Sequence, residues 1–145
     1  MAETILVLGA CGQVGTELIE NLQNIHGEGN VISSDIRKSD HPVFANGIFE
    51  TLDVLDKKKI AEVFAKYKPT VVYHLAALLS ATAEANPKFG WELNMDGTFN
   101  IFDACLEYGV KRIFWPSSIA VFGPTTPRVN TPQSTILEPS TVYGI

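Results

Sequence analysis

Three glycines at intervals of three, Gly9, Gly12 and Gly15, stand directly behind the unbroken apolar run Ile5–Leu8 and open a stretch carrying Val14, Leu18, Ile19, Leu22 and Ile25. An apolar run without alternation suits a parallel strand buried on both faces, and the stretch behind it has helical spacing. The unit therefore reads as strand, tight turn, helix. Its helix start aims free N–H groups, here those of Gln13, Val14 and Gly15, and a partial positive charge at whatever lies over the turn. A side chain on Gly9 or Gly12 would keep a diphosphate off the backbone, and the absence of one at Gly15 lets helix and strand pack closely. The spacing is Gly-x-x-Gly-x-x-Gly rather than the commoner Gly-x-Gly-x-x-Gly. Its place behind a buried strand near the N-terminus predicts a dinucleotide-binding turn.

Along the rest of the chain strands and helices alternate. Val31–Ser34 reads as a second strand ending at Asp35, and Ile48–Leu52 as a third closing on Asp53. Asp56 is placed to cap a helix with Ile60, Val63, Phe64 and Tyr67 on one face, stopped at Lys68-Pro69. Thr70–Leu75 is a fourth strand. A long helix is expected from about Phe89 to Tyr108, with Trp91, Met95, Thr98, Phe99, Phe102 and Leu106 near helical spacing and Gly109 as its stop. Arg112–Trp115 is the fifth strand. From Gly123 to Pro139 four prolines (124, 127, 132 and 139) and little periodicity predict a long surface loop. Pro139-Ser140-Thr141 is a helix-start signal ahead of Tyr143. Alternation of this kind predicts an α/β fold, a doubly wound parallel sheet of Rossmann type, with residues 1–145 as a single domain. No internal repeat or linker interrupts it.

Bulk properties narrow the function classes. A 46% hydrophobic and 19% charged composition belongs to an ordinary globular chain. The net charge of −5 argues against a nucleic-acid surface, and Lys57-Lys58-Lys59 reads as a solvated helix start. Cys11 and Cys105 are too few for a disulfide framework and read as small buried hydrophobes. With fold-forming sequence from Thr4 and no apolar run long enough to span a bilayer, neither signal peptide nor membrane partner is expected, and the cytoplasm, or an organelle matrix after processing, is the default location.

Several residues could carry chemistry. Asp35, twenty positions after Gly15, could accept both hydroxyls of an adenosine ribose and would repel a 2′-phosphate, which favours NAD over NADP. Arg37 leaves some room for NADP. Val54 could support an adenine while Asp53 offers an acceptor. Small residues after the fourth strand, Leu75-Ala76-Ala77, would let a cofactor pass close to the backbone. His74 has no second His or Cys at ligand spacing, so a satisfied core histidine is expected and no metal. Asn94 lies within a helix that its propensity does not favour; it either braces nearby backbone or faces solvent. Ser117-Ser118 follows the fifth strand, at the carboxyl edge where open sheets bind ligands. No Gly-x-Ser-x-Gly elbow surrounds it, so hydrolase chemistry is not expected.

Taken in order, Gly9-x-x-Gly12-x-x-Gly15, Asp35, Asp53-Val54, His74-Leu75-Ala76-Ala77, Asn94, Pro116–Gly123 and Tyr143-Gly144 resemble the extended short-chain dehydrogenases, in their epimerase-like branch. Leu78–Ala81 and Val121–Pro127 are most similar to the NAD-dependent L-threonine 3-dehydrogenases of that branch. The resemblance covers essentially the whole chain. It implies NAD as cofactor, held by Gly9, Gly12, Gln13, Val14, Gly15, Asp35, Ile36, Arg37, Asp53, Val54, Leu75, Ala76, Ala77, Asn94, Ser117 and Tyr143. It implies Tyr143 and Ser118 as catalytic residues, the first taking the proton of a substrate hydroxyl and the second holding the reacting oxygen. Ser80 would join them in contacting the substrate, L-threonine, which becomes 2-amino-3-ketobutyrate.

The family pairs its tyrosine with a lysine four positions on, Tyr-x-x-x-Lys, whereas the sequence stops at Ile145. The expectation is thus the cofactor-binding part of a longer enzyme, with the C-terminal substrate-binding part absent and a homodimer for the whole. Two further readings are a nucleotide-sugar epimerase or dehydratase of the same branch and, from another class, a non-catalytic NAD-binding module. Threonine-dependent NADH formation, UDP-sugar conversion and binding without turnover tell the three apart.

Overall fold

The computed structural model describes residues 3–145. Five parallel strands form one sheet in the order β3-β2-β1-β4-β5: β1 Ile5–Leu8, β2 Val31–Asp35, β3 Ile48–Thr51, β4 Val71–His74 and β5 Arg112–Phe114. In register, Leu8 lies between Ser34 and His74, so the carboxyl ends of β2, β1 and β4 finish level with one another. The chain leaves β1 toward β2 and β3 on one side, then returns to β4 on the other. That reversal opens the crevice in which open α/β sheets bind ligands.

Helices cover both faces, as double winding requires. On one face Ile5, Val7, Val31 and Val71 pack with Ile19 and Leu22 of α1 (Gln13–His26) and with Phe44. On the other, Leu6, Leu8, Ile32 and Val72 pack with Ile60, Val63 and Phe64 of α2 (Lys57–Tyr67) and with Ile101, Ala104 and Cys105 of α5 (Gly97–Glu107). Asp56 caps α2, accepting from the Lys59 N–H at 3.0 Å, and Lys68 ends it in the left-handed conformation, φ 48°.

Three helix expectations need correction. The α1 stripe is narrower than its apolar spacing suggests: Ile19 and Leu22 are buried, but Val14 and Ile25 are exposed. The segment expected as one helix is three pieces: α4 (Pro87–Trp91), a π-helical turn over Glu92–Asp96, and α5. It packs on the sheet through Gly97, Thr98, Asn100, Ile101, Ala104 and Cys105, while Trp91, Phe99 and Leu106 face out. Small residues win that face because they let the helix approach closely; a Cβ on Gly97 would come within 2.7 Å of Val54 Cγ2. A short helix, α3 (Ser80–Ala85), fills a stretch for which no element was expected, and Tyr143 lies in a tight turn rather than a helix. The long loop is as expected, closed at its base by Thr126, which is buried and donates its hydroxyl to the Ile136 carbonyl at 2.8 Å.

His74 ties sheet to helix. Its Nε2 lies 3.0 Å from Thr98 Oγ1, while Nδ1 is buried without a partner among the described residues, so the expected core histidine is only half satisfied. Burial pushes its pKa down to about 4, and the ring is neutral near pH 7. A folded-state pKa below the unfolded value of about 6.5 contributes stability that is complete above the unfolded pKa and is lost as pH falls from there toward 4. Denaturant unfolding at pH 7 and pH 5 should show a loss of about 2 kcal/mol that a His74→Gln variant does not share.

Candidate functional site

The glycine turn grows out of the C-terminal end of β1. Gly9 and Ala10 both donate to the Ser34 carbonyl, at 2.9 and 3.0 Å, and Gly9 sits at φ +78°. The three glycines serve three different needs. A Cβ on Gly9 would run into the backbone of Leu75 and Ala76, 2.6 Å from the Ala76 nitrogen, so this glycine permits the β1 and β4 ends to cross, rather than keeping a ligand path clear as expected. A Cβ on Gly15 would lie 2.7 Å from the Ala10 carbonyl oxygen, which confirms its packing role. Only Gly12 faces open space: its Cβ would meet nothing closer than Gly9 O at 3.4 Å, and the residue lines a cleft. No side chain caps α1 and no acid stands in its first turn, so its leading amides are left for something over the turn.

That cleft, about 190 Å³, collects Gly9, Gly12, Asp35, Ile36, Asp53, Val54, Leu75, Ala76 and Ala77 of the predicted residues, with Ser34, Leu52 and Leu93. A second cavity of about 130 Å³ takes in Ala76, Ala77, Asn94, Ser117, Ser118 and Tyr143, with Thr98 and Met95. Ala76 and Ala77 line both, so one groove runs along the carboxyl edge of the sheet from Asp35 to Tyr143. Gln13, Val14, Gly15 and Arg37 line neither cavity, and nor does Ser80, the first residue of α3.

Asp35 is held firmly. One carboxylate oxygen accepts the Cys11 amide at 3.0 Å and the other the Ile36 amide at 2.8 Å, which leaves each oxygen further lone-pair capacity toward the cleft. Asp53 is exposed and accepts from the Leu55 amide at 2.9 Å, while Val54 is buried beneath Gly97. Arg37 lines neither cavity, and its carbonyl accepts the Cys11 thiol at 3.3 Å. Cys11 is half-buried rather than buried; burial raises its thiol pKa, as it raises that of Cys105 to about 11.

Asn94 resolves to the bracing role. Its Oδ1 accepts from the Leu78 amide at 2.7 Å and its Nδ2 donates to the Leu78 carbonyl at 3.0 Å, fixing the loop behind β4 from within the π-helical turn. Ser118 Oγ accepts from the Ala120 amide at 3.2 Å, so its own hydroxyl hydrogen stays available in the second cavity. Sequence reasoning singled out neither Ser34 nor, as a site residue, Thr98. Thr98 could have been found four positions after Asn94, on the same helix side.

A diphosphate suits the floor that this turn provides, since at Gly12 the ligand side of the backbone is bare and the helix start faces it. The model of the NAD dependent epimerase/dehydratase family matches residues 5–145. The chain belongs to this family. An uncharacterised epimerase/dehydratase of Staphylococcus saprophyticus is 48% identical over 142 residues, covering 97% of this chain and 44% of its own. The structure of an L-threonine dehydrogenase from Clostridium difficile superposes with a TM-score of 0.93 at 46% identity, over 99% of this chain and 45% of that one. More distant is a UDP-glucose 4-epimerase from Thermotoga maritima, with a TM-score of 0.87 and 27% identity over 97% of this chain and 46% of that one. The chain thus spans a little under half the length of these relatives. Among the described residues, no group of three or more His, Cys, Asp or Glu is placed to hold a metal, and no helix is long and apolar enough to cross a membrane.

The glycine geometry separates two effects that a triplet motif merges. Gly15→Ala should lower unfolding free energy by about 1–3 kcal/mol through overpacking. Gly12→Ala, at an open helix cap, should cost less than about 1 kcal/mol. Paired denaturant curves check both.

Proposed function

We propose that the protein is an NAD-dependent dehydrogenase that oxidises L-threonine to 2-amino-3-ketobutyrate, and that residues 1–145 are its cofactor-binding part. The observation that carries this reading is the continuous groove: a glycine-floored cleft with Asp35 at one end, leading past Ala76-Ala77 to a cavity that Ser118 and Tyr143 share. The 46% identity to an L-threonine dehydrogenase, against 27% to a UDP-glucose epimerase, favours threonine over a nucleotide sugar.

Asp35 would hold the adenosine ribose, Gly12 and the start of α1 the diphosphate, Val54 the adenine, and Ala76-Ala77 the stretch that leads to Tyr143. NAD, when bound there, supplies the acceptor for the hydride that leaves the hydroxyl-bearing carbon. Tyr143 Oη, as the phenolate, takes the hydroxyl proton; the O–H pair becomes the second bond of the carbonyl as the C–H pair leaves as hydride. Ser118 donates its free hydroxyl hydrogen to the reacting oxygen and fixes its distance from Tyr143. Ser80, four residues before Glu84 on α3, would meet the polar end of the amino acid.

Threonine-dependent NADH formation by the full-length encoded protein tests the reading. Tyr143→Phe should lower kcat by roughly 10²–10⁴, the usual range for losing a positioned acid–base group, and Asp35→Ser should weaken NAD while narrowing its advantage over NADP. Turnover of a UDP-sugar but not threonine would overturn the substrate assignment. Failure to bind NAD would overturn the whole reading.

A further inference from the structure

Tyr143 is held by its backbone, in a turn anchored from two sides. On one side, Gly144 is pressed onto the Ile119–Val121 turn that succeeds Ser118; a Cβ there would collide with the Ala120 carbonyl and come within 2.9 Å of Pro139 Cβ. On the other, the Tyr143 N–H donates to Glu84 Oε1 at 3.2 Å, a contact bridging 59 positions of sequence. Glu84 is exposed, yet α3 beneath it is fixed. Ala83 is buried against Gly90, where a Cβ would come within 2.9 Å of the Ala83 methyl, and Leu78, two residues before α3, is clamped by Asn94. Ser80 and Glu84 are four apart, hence neighbours on one side of α3.

We propose that Glu84 is a positioning residue that sets the Tyr143 phenol against Ser118 by fixing the Tyr143 amide. The inference rests on the reading of Tyr143 as proton acceptor and extends it to α3. The helix that would meet the amino acid through Ser80 also holds the proton acceptor through Glu84, so substrate seating and Tyr143 placement share one rigid element. The carboxylate acts on the backbone amide and takes no part in proton transfer.

The test uses the ¹⁵N-labelled protein for the amide and the full-length encoded enzyme for turnover. Wild type and Glu84→Gln, which keeps an acceptor oxygen, should both show a downfield, slowly exchanging Tyr143 amide. Glu84→Ala should lose that signature, and Glu84→Asp, one methylene too short to reach, should behave likewise and serves should the alanine variant not fold. In turnover, Glu84→Ala and Glu84→Asp should lower kcat about 10- to 100-fold, the scale of a small misplacement of a reacting group, with KM for NAD unchanged and Glu84→Gln restoring most of the rate. A Tyr143 amide indifferent to Glu84→Ala and Glu84→Asp, or a kcat that falls as far in Glu84→Gln as in Glu84→Ala, overturns the proposal. Wild-type turnover by Tyr143→Phe would instead overturn the assignment of the proton acceptor, and is told apart because the amide would still respond to Glu84.

Discussion

Everything at the carboxyl edge depends on how closely two backbones cross at Gly9. Leu8 O accepts the Leu75 amide at 2.9 Å, and one residue later Gly9 and Ala10 both turn to the Ser34 carbonyl. The β1 end is therefore bound to β4 on one side and β2 on the other at nearly the same level. Any Cβ at Gly9 would occupy the space of the Leu75–Ala76 peptide, and the left-handed φ there adds a second reason for glycine. Loosening this crossing would move Ala76 and Ala77, the two residues common to both halves of the groove. The glycine turn thus shapes the far cavity as much as the near one.

The π-helical turn is the second organising feature, since it places side chains that a regular helix would put elsewhere. One extra residue in a turn rotates the remainder of the helix by about a hundred degrees. Before it, Gly90 packs on α3; after it, Gly97 packs on Val54 and Thr98 on His74. Asn94 sits within the widened turn, where both ends of its amide reach the Leu78 peptide. Single-turn π insertions recur at functional sites because they trade helix regularity for such aim. Here the insertion joins the floor of the second cavity to the loop leading into α3.

How much of this was legible in the sequence depends on the physical signal each part leaves. In β1 an unbroken apolar run announces burial on both faces directly, and Val71-Val72 begin β4 in the same way, whereas β2 is equally buried although its second half is Ser33 and Ser34. The α2 face was legible because Ile60, Val63 and Phe64 are both apolar and buried. In α5 the signal misleads. The large side chains Phe99 and Leu106 are exposed; of the expected stripe only Thr98 is buried, and the other packed positions are Gly97, Asn100, Ile101, Ala104 and Cys105. Most of the expected site residues line the two cavities, but Gln13, Val14, Gly15, Arg37 and Ser80 line neither. Glu84 left no signal at all, since its contact joins positions 59 apart. Side-chain-to-amide contacts across such separations depend on the completed fold, and periodicity does not encode them.

The role proposed for Asp35 in holding a ribose and its role in the framework need not compete. A carboxylate left to solvent would have to be ordered and stripped of water when a ligand arrives. Here both oxygens already accept backbone amides, one from the glycine turn and one from its own strand end. Those bonds fix the plane of the carboxylate before any ligand is present and tie the turn over β1 to the end of β2. Because an ionised carboxylate offers about four acceptor sites, two remain for further donors. The same two amide contacts that hold the turn in shape therefore aim the remaining lone pairs, and the cleft is pre-organised by bonds that the fold itself requires.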